Sequence, residues 1–199
     1  MGCIRKFLQI VILALALIGF ISIGGKEFVM NLYNQHFSQS QEKVMERASK
    51  LGDFSQISDE FTIDKTASAF GYQGVLAEHN ASGQKFLVVK AGKNSILTTE
   101  DFKNNQVETK VNDLIDKFKY QSLQVDEFTI TKQGSMKAYG KNVPYVRFTA
   151  KINKLPIGTV GGVISAVETD SKESRMLVSL NENKKYSQLI TEEFFKKVK

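Results

Sequence analysis

Two histidines, His36 and His79, are the only imidazoles in the chain, and Cys3 is the only thiol. A metal cage of His or Cys type needs three or four such ligands, so the count excludes it. A His-based nucleophilic triad has only those two bases to draw on. His36 falls in a stalk region, whereas His79 stands beside Glu78 at a strand end, where it reads as a solvated turn residue. Three adjacent carboxylate pairs, Asp59/Glu60, Asp126/Glu127 and Glu192/Glu193, carry the groups that general acid–base chemistry uses. Neighbouring side chains diverge on a helix or a strand, so these pairs read as solvated ends and partners of helix dipoles. Ser135 with Lys137 offers a hydroxyl near an amine, but no serine sits on the Gly-flanked sharp turn that a hydrolase nucleophile requires.

The glycine pattern Gly158-Thr159-Val160-Gly161-Gly162 is the nearest approach to a phosphate loop. It lacks the following Lys-Ser/Thr and runs into strand-like "VISAVET", so no helix start is available to hold an anion. Close packing or a bulge within a strand is its reading. Tyr139 and Tyr145 can line a cleft or simply pack on a sheet. The triplet Asn80-Ala81-Ser82 matches a glycosylation acceptor but reads as turn chemistry. The residues therefore assign no catalytic, cofactor-binding or metal-binding set, and no cofactor; the chain reads as a non-enzyme.

The 199 residues include 42% hydrophobic and 24% charged residues, enough apolar material for one folded domain. The net charge is +6. With Arg5 and Lys6 set aside, 25 basic residues face 21 acidic ones, interspersed instead of blocked. Interspersed charge is the mark of solvated faces and argues against a nucleic-acid partner.

From Phe7 to Gly25 no charge occurs, and Gln9 and Ser22 are the polar side chains. Such a run, as a helix, spans a hydrocarbon core of about 30 Å. Arg5 and Lys6 precede it, and beyond Lys26 no base occurs until Lys43, so the amino terminus is expected in the cytoplasm and the main domain outside. The length favours a retained anchor; the alternative is a cleaved signal, with Ser22-Ile23-Gly24 as the small-x-small site. Cys3 precedes the apolar run, and Lys6 stands where N-myristoylation wants Ser or Thr, so neither a lipoprotein nor an acylated start fits.

The elements needed to position any site follow from periodicity. Residues 26–37 continue as an aromatic stalk, and Ser38 to Gln41 offer a capping-box start for a helix with Val44, Ala48 and Leu51 on one stripe and Gly52 as its stop. The pattern from Asp53 to Gln73 is mixed, with a short helix expected around Asp64 to Phe70. Val75 to Glu78 and Lys85 to Val89 form a hairpin about Asn80 to Gly83. Thr98 to Asp101 open a helical region with Val107, Val111, Leu114, Ile115 and Phe118 on its apolar stripe. Five strand-like segments follow, separated by turns at Gln133-Gly134-Ser135, Gly140-Lys141-Asn142, Pro156-Ile157-Gly158 and Asp170-Ser171-Lys172, and short connections require antiparallel neighbours. A last helix spans Ser187 to Val198, with Ile190, Phe194 and Val198 turned to the sheet.

The expectation is an α+β chain: a transmembrane helix over 1–25, stalk and amphipathic helix over 26–52, and one domain over 53–199 with an antiparallel sheet flanked by helices. The order helix, hairpin, helix, meander, helix over about positions 55 to 199 resembles the small α/β/α sandwich of the PsbP-like group. That resemblance implies a binding or assembly factor. The functional expectation is a membrane-anchored extracytoplasmic module of the bacterial envelope with a protein or envelope-component partner. The alternative is a periplasmic carrier of a small apolar or amphipathic ligand, released near Gly24; a third and less favoured reading is an enzyme with a dispersed Ser, Lys or carboxylate site.

Overall fold

The computed structural model describes residues 40–69, 72–90, 97–116, 125–152 and 159–199. The apolar run at 7–25, the stalk with His36, Phe118 and the turn at 156–158 lie outside these residues. No helix among the described residues is long and apolar enough to cross a membrane.

Among the described residues seven strands form one sheet: β1 Phe61–Ala69, β2 Tyr72–His79, β3 Lys85–Lys90, β4 Val125–Ala138, β5 Lys141–Ile152, β6 Thr159–Glu168 and β7 Ser174–Glu182. Their order across it is β1-β2-β3-β7-β6-β5-β4, and every pair is antiparallel. An amino-terminal meander, β1 to β3, thus joins a carboxy-terminal meander, β4 to β7, along the β3/β7 seam. Four helices among the described residues cover the faces: α1 Gln41–Ala48, α2 Thr99–Lys103, α3 Val107–Asp116 and α4 Gln188–Lys197.

Because the side-chain period of a strand is two, each strand serves both layers. On face A, Val75, Phe86, Tyr145, Val163 and Leu177 pack with Val44 and Ala48 of α1 and with Phe194 and Phe195 of α4. On face B, Leu87, Phe148, Ile164 and Val178 pack with Leu97, with Phe102 of α2 and with Val107 of α3. Strands covered on both faces have no solvent side, which is why β6 and β7 read as nearly unbroken apolar runs. The densest part of face A is aromatic: the Phe86 and Phe194 rings stack at 4.3 Å, with Phe61 at 5.2 Å and Phe195 at 5.3 Å from Phe194.

The hairpin at Asn80 to Gly83, the helices after Thr98 and Ser187, and the antiparallel meander are as the periodicity predicts. Four details differ. Residues 61–69 are a strand, paired along β2, and not a helix; the register shift between Ile63 and Lys65 interrupts the alternation that would have marked it. Gln133-Gly134-Ser135 is no turn: both flanking segments fuse into the single strand β4, and Gly134 leaves room for the ring of its cross-strand partner Tyr145. The turn that does follow β4 is Tyr139-Gly140, with φ of 52° and 70°, a two-residue connection whose twist matches the strands. Finally, α1 starts at Ser40, which makes no side-chain cap bond, and Gln41 sends its amide to the Ile63 carbonyl of β1 instead.

Candidate functional site

His79 is buried, 8% exposed, and not solvated as its position suggested. Its ring lies 5.1 Å from that of Phe61, and its Nδ1 accepts the Ser82 backbone N–H at 3.2 Å while the Ser82 hydroxyl sits 2.8 Å away. The Ser82 Oγ in turn accepts the Gln84 N–H at 3.2 Å. With Nδ1 accepting, the ring proton belongs on Nε2. A hydroxyl beside an imidazole is the beginning of a nucleophile–base pair, but among the described residues no carboxylate orients this ring. The bonds span three residues of one turn and lock the β2/β3 hairpin.

The other candidates do not converge. Asp59 and Glu60 are exposed in the loop before β1, where their carbonyls accept the Asn80 side-chain amide and backbone N–H. That amide's oxygen takes the Thr62 hydroxyl at 2.7 Å, so Asn80 is engaged at both ends. Asp126 and Glu127 are exposed at a bulge in β4, and Ser135 and Lys137 are exposed on the same strand. Glu192 accepts from Gln188 one helical turn back at 3.0 Å. Gly161 and Gly162 lie within β6; a methyl on Gly162 would run into the Ser179 carbonyl and stand 2.8 Å from the Phe148 ring. Tyr145 is buried in the face A core. Among the described residues no three His, Cys, Asp or Glu side chains gather as a metal ion would need.

Two polar assemblies were not legible from residue types. Around Tyr139, the tyrosine hydroxyl donates to the Leu51 carbonyl at 2.7 Å, and Arg175 Nε reaches the same carbonyl at 3.3 Å. Burial pushes the Tyr139 hydroxyl well above its ordinary range, so it stays a donor. Arg175 is 4% exposed and lies directly across from Lys90 in the β3/β7 register. Like charges opposite one another destabilise a sheet, and here Glu173 removes the problem by bonding both, Lys90 Nζ and, at 2.6 Å, Arg175. Those two bonds, that from Lys90 first, hold the Glu173 carboxyl below its usual range.

The second assembly ties α4 to the sheet. Gln84, fully buried, donates to Ser179 Oγ and Thr191 Oγ1, both at 2.9 Å, and its Oε1 accepts the Ser187 N–H at 2.9 Å. Tyr186 closes the network, its hydroxyl 2.9 Å from Thr191 Oγ1 and pushed up to about 12 by burial. Over the outer side of that ring lies Arg147 of β5, its guanidinium 5.1 Å from the ring centre.

Arg147 stands on β5, one strand in from the edge of the sheet. Its register partner on β4 is Lys132, so two cations again stand side by side on one face. Neither makes an ion pair among the described residues. β4 is the outermost strand, 14 residues long, and exposed without a break from Thr131 to Ser135. At the opposite margin, β1 is covered by α1 and by the Gln41 amide. β4 is also packed by helices, α4 and α3, and Met136 and Ala138 near its end are buried, with Tyr139 just beyond pinned by its N–H to the Val198 carbonyl; the stretch from Thr131 to Ser135 is what stays exposed. This open edge with its unpaired cations is the part of the described molecule best equipped to receive something. No protein-family model matches the chain, and no curated protein matches it either.

Proposed function

We propose that the chain is a membrane-anchored binding or assembly module of the bacterial cell envelope, held by the apolar run at 7–25 and presenting its α+β domain outside the cytoplasm. The observation that supports this reading is the contrast between two closed sheet faces and one open strand. Both faces are filled by helices and apolar side chains, whereas β4, at the margin of the sheet, is exposed from Thr131 to Ser135. An edge of that kind recruits an extended segment by strand addition. The arrangement that resembles the PsbP-like group points to the same class of role.

The test is capture of partners with the full-length chain from detergent-solubilised membranes, compared with a variant in which Lys132 and Arg147 are both changed to Glu. A protein retained by the parent and lost by the variant supports a binding module working through β4. Recovery of nothing above background by the parent contradicts the module itself.

A further inference from the structure

We propose that Lys132 and Arg147 form a receptor for a carboxylate, and that the carboxylate comes from an acidic extended segment of a partner protein laid along the outer edge of β4. This rests on the binding-module reading and names the partner's chemistry.

Two cross-strand pairs of like charge occur among the described strands, Lys90 opposite Arg175 and Lys132 opposite Arg147. In the first, one carboxylate, Glu173, bridges both cations. The second lacks the corresponding acid among the described residues. Elsewhere the sheet sets opposite charges against each other, Glu78 against Lys85 and Glu127 against Lys151. Glu192 on α4, which acts on Tyr186, accepts from the Gln188 amide and pairs with neither cation among the described residues.

The geometry around the pair supplies what a carboxylate needs. Arg147 is half-buried and kept in place by the Tyr186 ring, which is itself fixed by the Gln84 network, so its forked donors are ordered in advance. Lys132 owes its place beside Arg147 to the register shift between Ile130 and Lys132. From Lys132 to Ala138 the β4 register is then regular, and its first part, Lys132 to Ser135, is exposed and open to an added strand. A residue of the added strand beside Lys132 shares its face, because neighbours across a sheet point the same way. Five positions along, Lys137 is exposed on the other face and invites a second acid there.

The probe is a short fluorescent peptide of alternating threonine and valine with two aspartates five positions apart, bound to the full-length chain in detergent and followed by anisotropy. Control peptides carry asparagine or lysine at those two positions. The aspartate peptide is expected to bind at least about tenfold tighter than the asparagine one, and to slow hydrogen exchange at amides within 132–138. Lys132→Glu places an acid beside Arg147 within the chain itself; this variant should keep or raise its melting temperature while losing the aspartate peptide. With both Lys132→Glu and Arg147→Glu, preference should reverse to the lysine peptide, and Lys172→Glu, in an exposed turn, should change nothing. Equal binding of the three peptides, protection away from β4, or a concentration-dependent dimer that protects 132–138 without peptide would overturn the proposal. A partner captured equally by parent and doubly reversed chain would overturn this edge as the contact while leaving the binding-module reading standing.

Discussion

Gln84 carries more of the structure than its polarity suggests. It has no exposed surface, yet its amide joins β3 to β7 and to the first turn of α4 through Ser179, Thr191 and Ser187. Gln84→Ala leaves the Ser187 N–H and two hydroxyls short of a partner in a buried place, where each orphaned group is costly. The expected loss is about 2–3 kcal/mol, read as a lower urea midpoint. Asp101 controls a pH response. Burial pushes its carboxyl up, but the hydrogen bonds from Lys110 Nζ at 2.6 Å and from the Thr98 N–H and hydroxyl outweigh that and hold it below the usual range. A carboxyl depressed in the folded state stabilises fully above the unfolded value of about 4 and loses that contribution as pH falls through the folded value. The gap in urea midpoint between the parent and Asp101→Asn should therefore be clear at neutral pH and shrink at about pH 3. A gap that widens on acidification would reverse the sign.

Among the elements, β6 sets the tightest limit. Gly162 faces the Phe148 ring and the Ser179 carbonyl so closely that Gly162→Ala must displace a ring or a backbone, and a cost of about 1–3 kcal/mol is expected in a thermal melt. Gly140→Ala, with nothing within 4 Å of the added methyl, should cost only the left-handed backbone penalty of about 1 kcal/mol. The helices and the meander were legible because their periods are regular: Val44, Ala48 and Leu51, or Phe194 and Val198, mark a face by spacing alone. β1 was not, because the shift after Ile63 puts Phe61 and Ile63 on one phase and Thr66 on the other. Gly134 misled for a different reason: glycine signals a turn locally, but here it makes space for an aromatic ring from the next strand. The site was hidden by the same physics. Strict alternation gives no hint that Lys132 and Arg147 meet, since the irregularity beside Thr131 sets the pairing, and openness of β4 depends on strand order, which no local pattern encodes.

At the scale of the whole molecule, the proposed anchor fixes which side of a membrane the edge faces. Cys3 precedes the apolar run, and Lys199 lies exposed at the far end of the domain, its backbone paired with Asp53. If the run is retained with Arg5 and Lys6 inside, Cys3 should react with an impermeant maleimide only after lysis. A Cys3→Ala, Lys199→Cys chain should react on intact spheroplasts and stay with the membrane through a high-salt wash. Labelling of Cys3 from outside would reverse the orientation, and a labelled chain in the soluble fraction would establish cleavage near Gly24.

The claim that β4 is the contact surface is open to one direct measurement. A photo-crosslinking side chain is placed at Gln133, on the exposed stretch of β4, and in a second chain at Leu189, exposed on α4. Both full-length chains are expressed in membranes and irradiated. The result expected is a discrete higher-mass adduct to another protein from position 133, abolished by Lys132→Glu with Arg147→Glu, and none from position 189. Adducts from 189 but not 133, or none from either, would contradict a module that works through this edge.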